Sequence, residues 1–252
     1  MQPTIFAAQE FIMRKIIVIL IALTAALPSF SQEVKKKKVY DLTNRAADHF
    51  VVQFALNNWQ GAPDSISSHI KGFQKSANVY VMLDKPFKAN PRFSIAAGLG
   101  VGTTNIYFKK MIVDIGSTSI KLPFRAVDNL DNYKKFKLTA AFLEVPLELR
   151  FSSDPSNPNK TFKAALGIKF GTLVNAHSKG KILRNAAGTV LNSKTVKENS
   201  KSYFNTTRLA ATARVGYGNF SLFGAYSLTG IFKDGVAPDI KGMQIGLTFS
   251  GL

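Results

Sequence analysis

The chain contains no cysteine, which excludes disulfide bonds, cysteine-based zinc sites and thiol nucleophiles. Acidic residues are also scarce, with 15 Asp and Glu against 33 Lys and Arg and a formal net charge of +18. Beyond residue 31, no apolar run reaches the ~18 residues expected of a transmembrane helix. The fold must therefore be stable without disulfide bonds, cysteine-bound zinc or a transmembrane helix beyond residue 31. The positive net charge favours anionic surroundings.

The first 31 residues are predicted to be a cleaved signal peptide, with Met13 as an alternative start. Arg14 and Lys15 provide a basic beginning, the apolar run IIVILIALTAAL follows, and small residues stand near the expected cleavage site in PSFSQ. The apolar run is shorter than the about 20 residues that a membrane-spanning helix needs. The sequence therefore predicts export from the cytoplasm.

Residues 48–252 are predicted to form one β domain, after a basic periplasmic segment at 32–47. The domain repeats the period-2 alternation of strands that have one apolar and one mixed face. Eight windows carry this pattern, near residues 49–58, 73–87, 93–107, 136–151, 161–175, 207–217, 220–227 and 243–249. The connections between them alternate between long and short. This pattern predicts an all-β fold, an eight-stranded antiparallel up-and-down transmembrane β-barrel with short periplasmic turns and long external loops.

The fourth window contains the segment FLEVPLELRF, which resembles a YLEIPL-type strand of the PorT-like outer-membrane β-barrel family. The resemblance rests on Leu143, Glu144, Val145, Pro146 and Leu147, with support from the segments SFSQ and AAGLGVG. That family is typical of Gram-negative Bacteroidota. The resemblance implies an eight-stranded barrel in the outer membrane of a Gram-negative bacterium, with an accessory role in protein secretion.

Glu144, Glu148 and Arg150 share one face of the fourth predicted strand. The two glutamates would lie roughly 13 Å apart at about 3.3 Å per residue, whereas the carboxylates of glycosidases are about 5 to 9.5 Å apart. We therefore predict a lumenal charge network in place of a catalytic pair, because a narrow barrel must neutralise buried charges. The predicted cationic members of this network on the next two strands are Lys163, Lys169, Arg208 and Arg214.

Pro146 and a change in apolar parity predict a β-bulge in the fourth strand. Proline lacks the N–H that a paired strand uses. Apolar residues occupy even positions from Phe136 to Phe142, and odd positions from Leu143 onward. One extra residue in the strand would produce this shift.

The segment between His177 and Asn205 is predicted to be a basic external loop. Its cations are Lys179, Lys181, Arg184, Lys194, Lys197 and Lys201. No nucleic-acid partner is expected, since the segment lacks interleaved aromatic residues and the protein is exported. Two interpretations remain: a solvated loop, or a surface that binds lipopolysaccharide phosphates or another anionic partner.

Four aromatic residues near predicted strand ends are candidates for an interfacial girdle, with ordinary loop packing as the alternative. They are Trp59, Phe87, Tyr107 and Tyr217. The three histidines, His49, His69 and His177, have no metal-ligand spacing, so neither a metal nor a cofactor is expected.

These patterns favour a monomeric outer-membrane barrel with a structural or interaction role, including an accessory role in secretion. The expected partners are outer-membrane lipid, lipopolysaccharide and secretion-system or other envelope proteins. A small passive pore is the second interpretation. A membrane-embedded hydrolase of lipids or peptides is the third, and enzymatic activity is not expected, because no serine, histidine and acid can be grouped from the sequence.

Overall fold

The computed structural model describes residues 49–251, so the predicted signal peptide and periplasmic segment lie outside the described residues. The strands are β1 Phe50–Gln60, β2 Gln74–Pro86, β3 Phe93–Phe108, β4 Met111–Val113, β5 Phe124–Ala126, β6 Asn132–Ser152, β7 Phe162–Arg184, β8 Val190–Asn199, β9 Thr207–Tyr217, β10 Phe220–Ser227 and β11 Lys241–Ser250. A short helix, α1, spans Asp64–Ser67, and a 3₁₀ turn spans Pro158–Lys160. Within the described range, no helix has the length and apolar character to cross a membrane.

Eight of these strands close into one antiparallel ring. The order around the ring is β1, β2, β3, β6, β7, β9, β10, β11, and β11 pairs back with β1. The predicted eight-stranded up-and-down barrel is confirmed. Strand β8 pairs with the far end of β7, and β4 pairs with β5 in a separate hairpin. Ring closure leaves no open edge among the eight strands, which is the condition for a sheet in lipid.

The connections between ring strands sort by length onto two rims, as predicted. The short turns are 87–92, 153–161 and 218–219, and the long connections are 61–73, 109–131, 185–206 and 228–240. In outer-membrane barrels the long loops face the exterior. We refer to the two ends as the short-turn rim and the long-loop rim.

Large apolar side chains point outward at alternate positions around the ring near the short-turn rim. Phe54 of β1 is 57% exposed and Leu166 of β7 is 68% exposed. Such a continuous exposed apolar belt fits a lipid environment. This lipid-facing band occupies residues 143–151 of β6 and 162–174 of β7, and these parts of the strands are the membrane-spanning segments.

The interior changes from polar to apolar along the barrel axis. Toward the short-turn rim, β6 directs Glu144, Glu148 and Arg150 inward. Toward the long-loop rim, the inward positions of the same strand carry Phe142 and other apolar residues that join a buried cluster. We call this cluster the upper core, and its members include Trp59, Ile106, Ile115, Phe142, Phe204 and Phe232.

The predicted bulge in β6 is wrong. Apart from Thr139, which is buried on the opposite face, the buried residues of this strand from Phe136 onward occupy even positions, through Phe142, Glu144 and Arg150. The inward face therefore keeps one parity along the strand. The apolar residues change parity because the interior becomes apolar beyond Glu144, not because the strand contains an extra residue.

The irregularity lies at the same height in the neighbouring strand β7. Its register with β6 passes from Ala141↔Asn175 directly to Phe142↔Leu173. Val174 is therefore the extra residue, in β7 rather than in β6. Leu173 below the bulge and Ala176 above it are both buried, so the bulge shifts the inward parity of β7.

Pro146 remains in register within the ring. The ladder from β6 to β3 is interrupted opposite this residue, between Ala97↔Leu147 and Gly100↔Glu144, and then resumes unchanged. The missing N–H of proline thus removes local pairing with β3 without displacing the strand.

Candidate functional site

The upper of two carboxylate clusters in the lumen surrounds Glu144, which is 1% exposed. Lys169 Nζ lies 3.6 Å from its Oε2, and Arg208 Nη1 lies 3.3 Å from its Oε1. The Tyr80 hydroxyl donates a 2.5 Å hydrogen bond to Oε2 and accepts one from Lys169 Nζ at 3.1 Å. The buried carboxylate is therefore held by two cations and a phenol from three other strands.

The second cluster surrounds Glu148, nearer the short-turn rim. Arg150 Nε donates a 2.8 Å hydrogen bond to Glu148 Oε2, and Arg214 Nη2 donates one of 3.0 Å to the same oxygen. Arg150 also reaches Asp84, with 3.9 Å between Nη1 and Oδ1. Arginine side chains thus link β2, β6 and β9 across the lumen.

The structure brings six of the seven predicted network residues into these two clusters. Lys163, the seventh, is half-buried near the short-turn rim, in register with Ser152 on β6 and Gly216 on β9. Sequence reasoning missed Tyr80 and Asp84 as partners. Their signal was available, because both occupy the inward, mixed face of β2 in the period-2 pattern.

Glycines on β3 make room for the Glu144 cluster. A Cβ at Gly102 would lie 2.7 Å from Glu144 Oε2, and a Cβ at Gly100 would lie 2.4 Å from Tyr80 Cδ1. Both distances are too short for real atoms. The small face of the segment AAGLGVG therefore accommodates the phenol and the carboxylate inside the barrel.

Side-chain amides fill the lumen beside the charged clusters. Asn78 Nδ2 donates hydrogen bonds to Gln53 Oε1 at 3.1 Å and to Gln244 Oε1 at 3.4 Å. Gln53 Nε2 donates to Thr248 Oγ1 at 3.2 Å. These buried amide and hydroxyl groups therefore bond to one another inside the lumen.

The long loops fold inward and cover the barrel with the upper core. Phe204 and Phe232 lie with ring centroids 5.2 Å apart, and Tyr203 Oη donates to the carbonyl oxygens of Ser117 and Ser119 at 2.7 and 2.6 Å. The apolar-lined cavity between this cap and the lumenal clusters has a volume of about 40 Å³.

The aromatic residues occupy different environments, and the girdle prediction is corrected for Trp59. This side chain is 7% exposed and packs in the upper core, with its ring centroid 5.7 Å from those of Phe108 and Phe232. Phe87 and Tyr217 are exposed at the short-turn rim. Tyr107 is half-buried on the outer surface, above the lipid-facing band.

The predicted basic loop is largely a β-hairpin, because β7 continues well beyond the lipid-facing band and turns into β8. Lys179, Lys181 and Arg184 lie on β7, and Lys194 and Lys197 lie on β8. The remaining cation, Lys201, follows β8. The alternation of Lys179 and Lys181 with Ser178 and Gly180 was the sequence pattern that indicates a strand here.

A serine, a histidine and an aspartate meet after α1. His69 Nε2 lies 3.4 Å from Asp128 Oδ2, and its Nδ1 lies 3.2 Å from Ser68 Oγ and 3.1 Å from the Ser65 carbonyl oxygen. Ser68 Oγ donates its hydrogen bond to the Asp64 carbonyl oxygen at 2.7 Å, and the Ser65 carbonyl oxygen lies on the same side of the ring as His69 Nδ1. In this arrangement His69 is not placed to take the serine proton, so the contacts stabilise the turn rather than activate a nucleophile.

Potential metal ligands are dispersed. Across residues 49–251, no three or more His, Cys, Asp or Glu side chains are grouped so that they could hold a metal ion.

Comparison with known proteins gives a family match and remote structural likenesses. The family model described as the outer membrane protein beta-barrel domain matches residues 30–233. Two crystal structures of Ail, the attachment invasion locus protein of Yersinia pestis, are similar to this chain over 80% of its length and 94% of theirs. The structure with the heparin analogue sucrose octasulfate has 14% identity and a TM-score of 0.35, and the other has 11% and 0.33. No curated protein matches at a significant level.

Proposed function

Because the chain belongs to the family of the outer membrane protein beta-barrel domain, we propose that it acts as a closed, monomeric barrel with a structural or interaction role. The protein is a β-barrel of the outer membrane. Its role in that membrane is inferred from how the barrel interior is filled and from which surfaces remain exposed.

The observation that carries the proposal is the double closure of the interior. The two carboxylate clusters and the amide network occupy the lumen at the level of the lipid-facing band. The upper core covers the same lumen from the long-loop rim. A passive pore needs a continuous polar path through the barrel, and an eight-stranded barrel filled in this way favours a non-conducting protein.

Single-channel recording in a planar lipid bilayer tests the closed state. We expect the purified, refolded barrel to give no steady conductance steps, with a general porin as the positive control. Steady open-channel currents from the barrel would contradict the proposal and favour the passive-pore alternative.

We further propose that the interaction role is accessory to protein secretion. The support is the resemblance of residues 143–147 to a PorT-like strand. Deleting the gene should change the profile of secreted proteins while outer-membrane permeability to small solutes stays the same. The reverse pattern would favour a pore, and two unchanged readouts would favour a purely structural barrel.

The hydrolase alternative receives little support. The Ser68 hydroxyl donates a hydrogen bond to the Asp64 carbonyl oxygen, and both ring nitrogens of His69 face acceptor oxygens. We therefore propose a protein without enzymatic activity. Assaying the reconstituted barrel with ester and peptide substrates checks this, and turnover that disappears in Ser68→Ala would contradict it.

A further inference from the structure

Four lysines line a groove on the outer surface of β6 and β7, beyond the lipid-facing band. We call it the lysine groove, and its cations are Lys135, Lys137, Lys179 and Lys181. Tyr107 and the backbone at Phe136, whose side chain is buried in the upper core, complete the lining, and the groove has a volume of about 270 Å³. Charged walls beside an aromatic ring are suited to an anionic group carried on a sugar or similar ring.

The lysines stand directly opposite one another across strands. Lys135 of β6 pairs in register with Lys181 of β7. Lys137 is opposite Lys179, which in turn pairs with Lys197 of β8. Like charges in directly opposed positions destabilise a sheet. A bound anion would turn this repulsion into attraction.

No carboxylate offsets this charge within residues 49–251, where none of the groove lysines takes part in an ion pair. The one carboxylate of the neighbouring strand β8, Glu198, is directed against Gly116 of a loop. Lys137 Nζ instead donates a 2.7 Å hydrogen bond to the neutral Asn105 Oδ1 and lies 6.0 Å from the Tyr107 ring centroid. The half-buried lysine is thus oriented without being neutralised.

The electrostatic field of the groove is strong enough to affect its own members. Burial, and then the charges of Lys179, Lys181 and Lys197, lower the pKa of Lys137 below its ordinary value. Burial and then the charge of Lys135 likewise lower the pKa of the nearby Lys71. Such mutual repulsion is expected at a surface built to receive an anion.

The height of the groove indicates which anion it meets. On the outward face of β6, Thr139 and Ala141 separate Lys137 from Leu143, where the lipid-facing band begins. Six residues span roughly 20 Å along a strand, or roughly 14 Å in height at a tilt of about 45°. An ordinary phospholipid headgroup layer is only about 5–8 Å thick. A glycolipid with phosphorylated sugars extends to the height of the groove.

We propose that the lysine groove binds the phosphate groups of lipopolysaccharide in the outer leaflet. The inference deepens the interaction role proposed above by naming a partner, and it does not depend on whether the barrel conducts. The lysines supply the charge, and the Tyr107 ring supplies a surface for a sugar ring.

The test compares two variants that lose the same charge. The groove variant combines Lys135→Gln, Lys137→Gln, Lys179→Gln and Lys181→Gln. The control variant combines substitutions of four exposed lysines elsewhere, Lys75→Gln, Lys121→Gln, Lys194→Gln and Lys233→Gln. Both are folded in nanodiscs of neutral phosphatidylcholine, with the heat-dependent gel shift as the check of barrel formation. The double variant Lys137→Gln with Lys179→Gln serves if the groove variant does not fold.

Binding is titrated with fluorescent lipopolysaccharide, with the same lipid after removal of its phosphates, and with soluble heparin. We expect the groove variant to bind lipopolysaccharide at least tenfold more weakly than wild type, since one lysine near an anionic surface contributes about fivefold. The control should change less than about twofold, and the dephosphorylated lipid should bind weakly to all three proteins.

Equal losses in the two variants, or equal binding of the dephosphorylated lipid by wild type, would overturn the proposal. Groove-dependent binding of heparin without binding of lipopolysaccharide would also overturn it, because a soluble polyanion would then be the partner. Channel currents together with groove-dependent lipopolysaccharide binding would refute only the closed-lumen proposal.

Discussion

The lower part of the barrel, at the level of the lipid-facing band, and the upper part, around the upper core, are built by the same strands. Their inward and outward faces have opposite polarity. In the lower part, β6 directs Glu144 and Glu148 inward and Leu147 outward toward lipid. In the upper part, it directs Phe142 inward and Lys137 outward. The inward parity of β6 is the same in both parts. The residues on the two faces of β6 therefore change polarity because the surroundings change from lipid to water, and the strand geometry stays the same.

The two parts also use different forces. Lipid is as apolar as the outward side chains, so no hydrophobic effect drives the packing of the barrel within the membrane. The lower interior is therefore held by ion pairs and hydrogen bonds. Above the membrane, water surrounds the barrel and the ordinary hydrophobic effect assembles the upper core. Substitutions in the two parts should therefore differ in what they disrupt.

The largest effect is expected in the lower part from Glu144→Gln. The substitution keeps the side-chain shape but leaves Lys169 and Arg208 without their buried carboxylate. Removing one partner of a buried ion pair costs about 3–5 kcal/mol. Urea unfolding in detergent should show a fall of this size in the free energy of unfolding. Glu198→Gln on the exposed strand β8 is the matched control, and equal stability of the two variants would contradict the account of the lower part.

A slightly smaller and local effect is expected in the upper part from Ile115→Ala. Ile115 is fully buried in the upper core, whereas Ile120 in the same loop is 88% exposed. Truncating a buried isoleucine costs about 2–5 kcal/mol, and an exposed substitution stays within about 0.5 kcal/mol. Protease cleavage of the long loops should therefore accelerate in Ile115→Ala and not in Ile120→Ala, while the heat-dependent gel shift of the barrel persists. Equal cleavage rates in the two variants would show that the loops do not depend on the upper core.

The sequence predicts the lower part well because its alternation matches the rule for lipid-facing strands. The outward residues are apolar and the inward ones small, polar or charged, which allowed Lys169, Arg208 and Arg214 to be assigned to the lumen. Their distances to the glutamates depend on strand register, which the alternation alone does not fix. Tyr80 and Asp84 were missed for a related reason, since only the ring order shows which inward residues of β2 approach β6.

In the upper part the sequence pattern is misleading, because there the apolar residues point inward and the charged residues point outward. An apolar residue at an even position of β6 points inward there, so the reversal appeared as a bulge near Pro146. Trp59 was assigned to the interface because it ends a strand, but it lies on the inward face and joins the loops of the upper core. The groove lysine Lys137 was overlooked because it lies outside the segment predicted as the basic loop. The signal was its alternation with Phe136 and Leu138.

The smallest effect is a pH dependence confined to the upper part. Burial, and then the charges of Lys197, Lys137 and Lys179, lower the pKa of His177 below its ordinary value of 6.5. The unfolded chain then binds this proton more readily than the folded barrel does. The contribution of His177 to stability should therefore be fully present above about pH 6.5 and should decline as pH falls from 6.5 toward the lowered pKa. His177→Gln should flatten this part of the pH profile of unfolding, and an unchanged profile would contradict the assignment.

The central claim is that β6 keeps one inward parity while its two faces exchange polarity between Ala141 and Leu143. The absence of native cysteine allows single-cysteine scanning of residues 135–150 in isolated outer membranes, with a water-soluble and a lipid-soluble thiol reagent. Cysteines at 135 and 137 should react with the water-soluble reagent, and those at 143, 145, 147 and 149 only with the lipid-soluble one. Cysteines at even positions from 136 to 142 should be protected from both. Reaction at those even positions, with protection at 135 and 137, would contradict the account.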